Sequence, residues 1–394
     1  MPDDKGMSEC GVLVELDIEG APSGLLQDKT FVVKDLFDVE GLVTGGGNPD
    51  WKRAQTAATA HASAVKSLLD AGARLIGKAC TDELALSLDG INPYYGIPIN
   101  TQLPDRIPGG SSSGSASAVA AGYTDFGLGT DTVGSIRVPA SYCGLYGFRP
   151  THGIIDLTGC MPLGQSFDTV GWLTRDAELL YQVGKVLLPE KASEPIERIV
   201  RLFKLFENLS PEISEPFRTA CHAIAEQSFQ INRGVIEDEV IDACVSGFAI
   251  VRSREAWANY GNWIFSQDPR ISAPVKQRLL DGQNITLEDE IKARETLRRE
   301  TQFLDDYLTT AGALLLPTTS GFPPLKTASN SELDENRRQN IRLTVLATVA
   351  GLPQVSIPVA VAPGINLGIS IIGPRGRDLD LLKFVKSVSL AHSH

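Results

Sequence analysis

Apolar and polar positions along this chain switch between two periods, and each switch marks an element. Thr30 to Val33 (TFVV) is a β-branched run ending at Lys34, after which KDLFDVEG turns away. From Thr56 to Asp70, Ala58, Ala62, Val65 and Leu69 fall at helical spacing and Gly72 closes the run, which predicts a helix. ARLIGKA (73–79) reads as a strand, and Asp82 to Leu88 as a short helix. Asn92 to Gly110 is rich in Pro, Asn and Gly and predicts an irregular loop. Residues 115–122 are small and compatible with a helix, Phe126 to Gly129 form a buried strand, and Ile136 to Tyr142 start another helix. Strands alternating with helices predict an α/β fold, a central mixed twisted sheet with helices on both faces.

The stretch 187–310 changes character. It is charged and helical, as in EDEIKARETLRRETQFL (288–304), and its charges read as a solvated helix face. Buried strand patterns return from Ala313, in ALLLPTTSG, LATVAGLPQVSIPVA and NLGISIIGP, and a helix from Asp378 to Ser389 closes the chain. No internal repeat is evident. The expected organisation is one domain over 1–394: a core at about 29–180, a helical insertion at about 187–310, and C-terminal strands and helix at about 311–390.

Composition narrows the class. A chain of 394 residues with 42% hydrophobic and 21% charged positions fits a globular protein with a large core. A net charge of −12 argues against nucleic acid or an anionic membrane as partner. No apolar run is long enough to span a bilayer, and the acidic start MPDDKGMSEC is unlike a secretory signal, so the expected compartment is the cytoplasm. Cys10, Cys80, Cys143, Cys160, Cys221 and Cys244 are scattered without metal-ligand spacing and read as free thiols. The few histidines offer no candidate base, since His61 and His152 both read as structural.

The segment GGSSSGSASAVAAGYTDFGLGTDTVGSIRVPASYCGLYGFRP (109–150) carries the candidate chemistry. Serines stand in tight turns at Ser111 to Ser113 and at Ser135, where backbone N–H groups could hold an oxyanion. Taken alone, GGSSSGSAS reads as a flexible linker; the apolar, patterned sequence after it argues otherwise. Other motifs fail on context. Gly72-x4-Gly77-Lys78 has Ala79 where a phosphate loop needs Ser or Thr, and Gly110-Ser-Ser112-Ser-Gly114 follows a Pro-rich loop where a nucleophile elbow follows a strand. FVVK with DFG lacks the kinase catalytic loop, and Ser63-Ala-Val-Lys66 lacks the partners of an SxxK enzyme.

VVKDLFDVEG, PGGSSSGSASAVAAG and GLGTDTVGSIRVPASYCGLYGFRPT together resemble the amidase signature family of serine hydrolases. PLGQSFDTVGWLTRD (162–176) and LPQVSIPV…ISIIGP are similar to later blocks of that family, while the middle of the chain is not covered. Within the family the chain looks closest to plant-type indole-3-acetamide hydrolases. The resemblance implies a Ser-cisSer-Lys triad with Ser135 as nucleophile, Ser111 as bridging serine after a cis peptide, and Lys34 as base. Lys34 can act as a base only when neutral, which requires burial to lower its pKa. The N–H groups of Thr132, Val133, Gly134 and Ser135 would form the oxyanion hole, supported by Ser112 and by an Asp131–Arg137 ion pair.

The implied activity is hydrolysis of linear, primary amides, aryl-acetamides such as indole-3-acetamide first; Phe167 and Trp172 are candidate acyl-pocket aromatics, with core packing the plainer reading of both. Neither cofactor nor metal is implied, and the expected partner is a small-molecule amide, with a homodimer left open. Two other readings stay open: a glutaminase subunit of a tRNA-dependent amidotransferase, and a non-catalytic amidase-like binding protein. One departure stands out, because Val133 occupies a position where the family usually has Gly.

Overall fold

The computed structural model describes residues 8–226 and 230–388. Its strands are β1 (Val12–Ile18), β2 (Thr30–Lys34), β3 (Arg74–Ala79), β4 (Phe126–Asp131), β5 (Tyr146–Arg149), β6 (Thr169–Thr174), β7 (Arg198–Leu202), β8 (Gln230–Gly234), β9 (Ala313–Pro317), β10 (Gln354–Ala362) and β11 (Ile365–Ile372). They form one 11-stranded sheet in the order β1-β3-β2-β4-β6-β5-β10-β11-β9-β7-β8. The sheet is mixed. β2 runs parallel to both β3 and β4, and β7 parallel to β8 and β9, while the strands between β4 and β9 pair antiparallel. The central strands β4, β5, β6 and β9 are buried at every residue, as expected of a sheet flanked by helices.

Close approach of one helix to the sheet shapes the site. The helix Ser113–Ala120 (SGSASAVA) is made of small residues and is buried through Val119. It starts directly against β4: a Cβ on Gly129 would lie 2.5 Å from Ser112 Oγ, and one on Gly127 would lie 2.9 Å from the Ser115 carbonyl oxygen. Both positions therefore need glycine. Ser112 Oγ donates to the Thr130 carbonyl (3.2 Å) and Ser115 Oγ to that of Leu128 (3.0 Å), which pins the serine loop to the strand.

Several elements differ from the sequence expectation. The helix expected over 56–70 begins at Ser63, because residues 58–62 are drawn into backbone hydrogen bonds with Gly41, Leu42 and Asp38. Residues 82–88 contain one 3-10 turn, Glu83–Ala85, because the Asp82 carboxylate accepts the N–H groups of Asp89 and Gly90 and closes the segment into a loop. The middle region is not wholly helical. It sends β7 and β8 to the edge of the same sheet, beside the helices Asp238–Gln267, Ala273–Gln283 and Leu287–Ala311. LATVA, read with the strand pattern, instead ends the helix Asn330–Val349, whose start is fixed by a capping box between Ser329 and Glu332. The closing helix spans Asp378–Ser387, and Ser389 lies outside the described residues.

Trp172 is a core residue. It is fully buried in β6, its ring centroid lies 5.0 Å from that of Phe148, and its Nε1–H donates to the Leu180 carbonyl at 3.0 Å. Trp172→Ala should therefore lower the unfolding free energy by about 3–5 kcal/mol in a urea titration. A loss below about 1 kcal/mol, typical of a surface change, would contradict a packing role.

Candidate active site

Two neighbouring parallel strands end at the site. β2 closes on Lys34 and β4 on Asp131, and the serine loop 109–112 crosses between them. Lys34 is fully buried, and its Nζ donates to Ser111 Oγ at 2.7 Å and to Thr130 Oγ1 at 2.9 Å. The Gly110–Ser111 peptide is cis. The Ser112 N–H donates to the Ser135 carbonyl at 3.1 Å, so the serine loop and the turn after β4 are joined at the backbone. Lys34, Ser111 and Ser135, far apart in sequence, thus converge on one place.

The turn 131–137 is organised by a single carboxylate. Asp131 accepts the N–H groups of Gly134 (2.8 Å) and Ile136 (3.1 Å). It also pairs with Arg137 at 2.8 Å and Arg149 at 3.1 Å, all three side chains being fully buried. The expected Asp131–Arg137 pair is present, and Arg149 is an addition the sequence did not reveal. Arg149 also donates to the carbonyls of Asp131 (2.6 Å) and Phe167 (2.9 Å). Burial pushes the Asp131 pKa upward, but the two guanidiniums and the backbone N–H groups outweigh it and hold the carboxyl well below the usual range.

Of the four amides expected to face an oxyanion, that of Gly134 is turned onto Asp131. Those of Thr132, Val133 and Ser135 meet no acceptor among the described residues. The need for glycine falls at Gly134, whose φ is +144° and where a Cβ would lie 3.2 Å from Val138 Cγ2 and 3.3 Å from Thr344 Oγ1. Val133 does not have a positive φ, so a β-branched residue fits there. Val133 is among the residues that line the cleft, and its carbonyl accepts a hydrogen bond from Thr344.

Ser135, Thr132 and Val133 help to line a narrow cleft of about 430 Å³, its open mouth included. Its apolar walls include Leu86, Leu163, Phe248 and Ile341. Phe167, expected as a pocket aromatic, lies behind the wall and packs its ring 4.9 Å from that of Phe248, which lines the cleft in its place. Phe248 comes from the long helix Asp238–Gln267, so the region without legible motifs supplies part of the site. His61 accepts from the Glu40 N–H and His152 contacts the Gln165 carbonyl, neither of them at the cleft.

The Amidase family model matches residues 15–382. Amidase 1 of Arabidopsis thaliana is 37% identical, with 92% of this chain and 93% of the relative covered. Indoleacetamide hydrolase of Pseudomonas syringae pv. syringae is 30% identical over 83% of this chain and 77% of the relative. The chain belongs to the amidase family. A solved structure described as a crystal structure of amidase superposes with a TM-score of 0.86 at 27% identity, covering 97% of this chain and 92% of that one.

The electrostatics of this amidase-family site centre on Lys34. Burial lowers its pKa to about 8, against the opposing pull of several acidic groups, Asp82 foremost. Asp82 is itself buried, which pushes its pKa up, and its Oδ1 has no hydrogen-bond partner. Its main-chain N–H donates to the Ser111 carbonyl at 3.3 Å, and a Cβ on Gly110 would lie 2.4 Å from its carboxylate. Asp168 braces the other side, accepting from Thr132 Oγ1 (2.6 Å) and from the N–H groups of Leu163 and Gly164 (2.8 and 2.9 Å). Asp82, Thr130 and Asp168 are site residues beyond those named from the sequence. Asp168 stood within the SFDTVGW run, where its position in a matching block was the available signal.

Asp131→Asn keeps the shape of the side chain but leaves Arg137 and Arg149 buried without their counter-charge. It should destabilise the fold by about 3–5 kcal/mol at neutral pH. Because the folded-state pKa of Asp131 lies below the unfolded value near 3.9, its contribution is fully present above about pH 4 and fades as pH falls below it. The gap between parent and variant in denaturant midpoints should therefore be flat from pH 7 to about 4 and narrow in more acid solution. A gap that widened on acidification would contradict this assignment.

Proposed function

We propose that this amidase-family enzyme hydrolyses linear primary amides to a carboxylic acid and ammonia, through an acyl-enzyme on Ser135. The observation that carries the reading is the 2.7 Å contact of a buried lysine amine, Lys34, with Ser111, beside the turn that presents Ser135. With Lys34 neutral, Ser111 can give its hydroxyl proton to the Nζ lone pair and take the proton of Ser135. Ser135 Oγ then bonds to the amide carbon, and the carbonyl electrons move onto oxygen. The N–H groups of Thr132, Val133 and Ser135 are the donors available to that oxyanion, an arrangement worth several kcal/mol in other hydrolases. Collapse breaks the C–N bond, and ammonia leaves with the proton returned from Lys34 through Ser111. Water then adds to the ester by the same relay, releasing the acid and restoring the Ser135 hydroxyl. Every atom and proton is supplied by substrate, water and these side chains.

The apolar walls from Leu86, Leu163, Phe248 and Ile341 suit an arylacetyl or alkyl body, and indole-3-acetamide is the first substrate to assay. The six unpaired cysteines are in keeping with a reducing compartment, and the cytoplasm is the compartment we favour. No helix among the described residues is long and apolar enough to cross a membrane.

Ammonia release over aryl-acetamides, short aliphatic amides and glutamine tests the reading. Turnover of aryl-acetamides that vanishes in Ser135→Ala is the expected result. Release from glutamine alone would favour the amidotransferase role, and no release from any amide would favour a binding protein.

The pH profile has a defined sign. Neutral Lys34 is the working form, so kcat/KM should rise with pH through a limb near 8 and level off above it. Lys34→Met should remove most of the rate together with that limb. An acid limb unchanged in the variant would assign the base to another group.

A further inference from the structure

Three arginines line the cleft that holds Ser135: Arg252, Arg278 and Arg337. Arg278 is engaged, donating to the Leu86 carbonyl at 2.7 Å and lying 3.6 Å from Asp334. Arg337 pairs with Asp89 and Asp334, each at 2.5 Å, yet its Nε–H is buried without a hydrogen-bond partner. Arg252 makes neither a hydrogen bond nor an ion pair with any described residue; its guanidinium lies 5.9 Å from the centre of the Phe248 ring. The charged groups that act on it are Arg278 and Arg337, which repel it, and Asp281, which attracts it. Burial, then Arg278, lower its pKa to about 10, which leaves it a cation at neutral pH.

Position ties Arg252 to the reacting centre. A Cβ on Gly164 would lie 3.2 Å from Arg252 Cγ, 3.6 Å from Thr132 Cγ2 and 3.6 Å from Glu255 Oε2, so the arginine stem and the turn before Ser135 flank one glycine; the Glu255 carboxylate is taken up by Ser166 and Arg294. A half-buried guanidinium whose N–H groups meet no acceptor among the described residues is an unfavourable arrangement that an arriving anion relieves. The cleft that Arg252 and Ser135 share is also lined by apolar Leu163, Phe248 and Ile341. A ligand that satisfies both features is apolar along its body and negatively charged at its tip.

We propose that the acyl group of the preferred substrate ends in a carboxylate remote from the amide, and that Arg252 is the residue that selects it. The substrate class is then the monoamides of dicarboxylic acids with an alkyl or aryl body, and the product is the dicarboxylate. A carboxylate matches the planar donor fork of a guanidinium, which favours it over a neutral polar tip. The inference rests on the amide-hydrolase reading of Ser135 and adds the charge of the acyl group to it.

Matched pairs of amides that differ only in charge test this: adipamate against hexanamide, and 4-(carbamoylmethyl)benzoate against 4-methylphenylacetamide. The parent enzyme should favour the charged member of each pair by at least about tenfold in kcat/KM, or about 1.4 kcal/mol. Arg252→Met, which keeps the apolar stem, should bring that ratio to about one, and Arg252→Lys should restore part of it. A parent enzyme that prefers the neutral members, or a preference that survives in Arg252→Met, overturns the proposal. Titration of adipate in a calorimeter separates this question from turnover. Binding by the parent that weakens at least about tenfold in Arg252→Met supports the anion site even if no amide is hydrolysed, in which case the hydrolase reading alone fails. Equal adipate binding by both proteins overturns it.

Discussion

The buried carboxylate of Asp131 is the interaction on which the rest of the site depends. It sits at the end of β4 and faces two guanidiniums, Arg137 from the following helix and Arg149 from β5. Arg137 reaches on to the Thr344 carbonyl and to Thr348, in the helix Asn330–Val349, so one cluster binds the nucleophile turn to distant parts of the chain. A buried pair of this kind gains little over apolar packing in stability alone. What it gives here is geometry: it holds the Gly134 and Ile136 N–H groups and leaves those of Thr132, Val133 and Ser135 for another acceptor.

Around that fixed turn, burial sets the chemistry of Lys34. An exposed lysine is an ammonium ion at neutral pH and cannot take a proton. Removal from water brings the Lys34 pKa down to about 8 in spite of the acidic groups around it. The small residues of the loop and helix at 109–120, together with Gly127 and Gly129 in β4, make this possible, because they let the serine loop lie directly on the strand and exclude solvent from the amine. Packing and catalysis are therefore one requirement at this point in the sequence.

The parts of the fold that were legible in the sequence are those whose signal is local. TFVVK, RLIGKA and the block 109–150 carry strand periodicity or tight-turn composition and took the form their patterns predict. What escaped depends on distant partners. The start of the helix at Ser63 is set by hydrogen bonds to residues 38–42, and inside a region of helical composition β7 gains strand identity by docking on β9 and β8 by docking on β7. The candidate triad was visible through family resemblance, since a lysine at a strand end has no local mark of being buried. Phe248, Arg252 and Arg337 carry no motif, and only the fold brings them to the wall of the cleft. Trp172 took the core position that is the plainer reading of such a residue, although an aromatic beside a signature block looks the same in sequence whether it faces core or cleft.

The most direct test is to find the atom that becomes covalently modified. An aryl-alkyl fluorophosphonate reacts with an activated serine hydroxyl, and peptide mapping by mass spectrometry locates the adduct. One phosphonyl group on Ser135 is predicted, absent in Ser135→Ala and formed far more slowly when Lys34 is replaced by Met. Modification of Ser111 or Ser112 with Ser135 unlabelled would contradict the assignment of the nucleophile, and with it the role given to the turn that Asp131 holds.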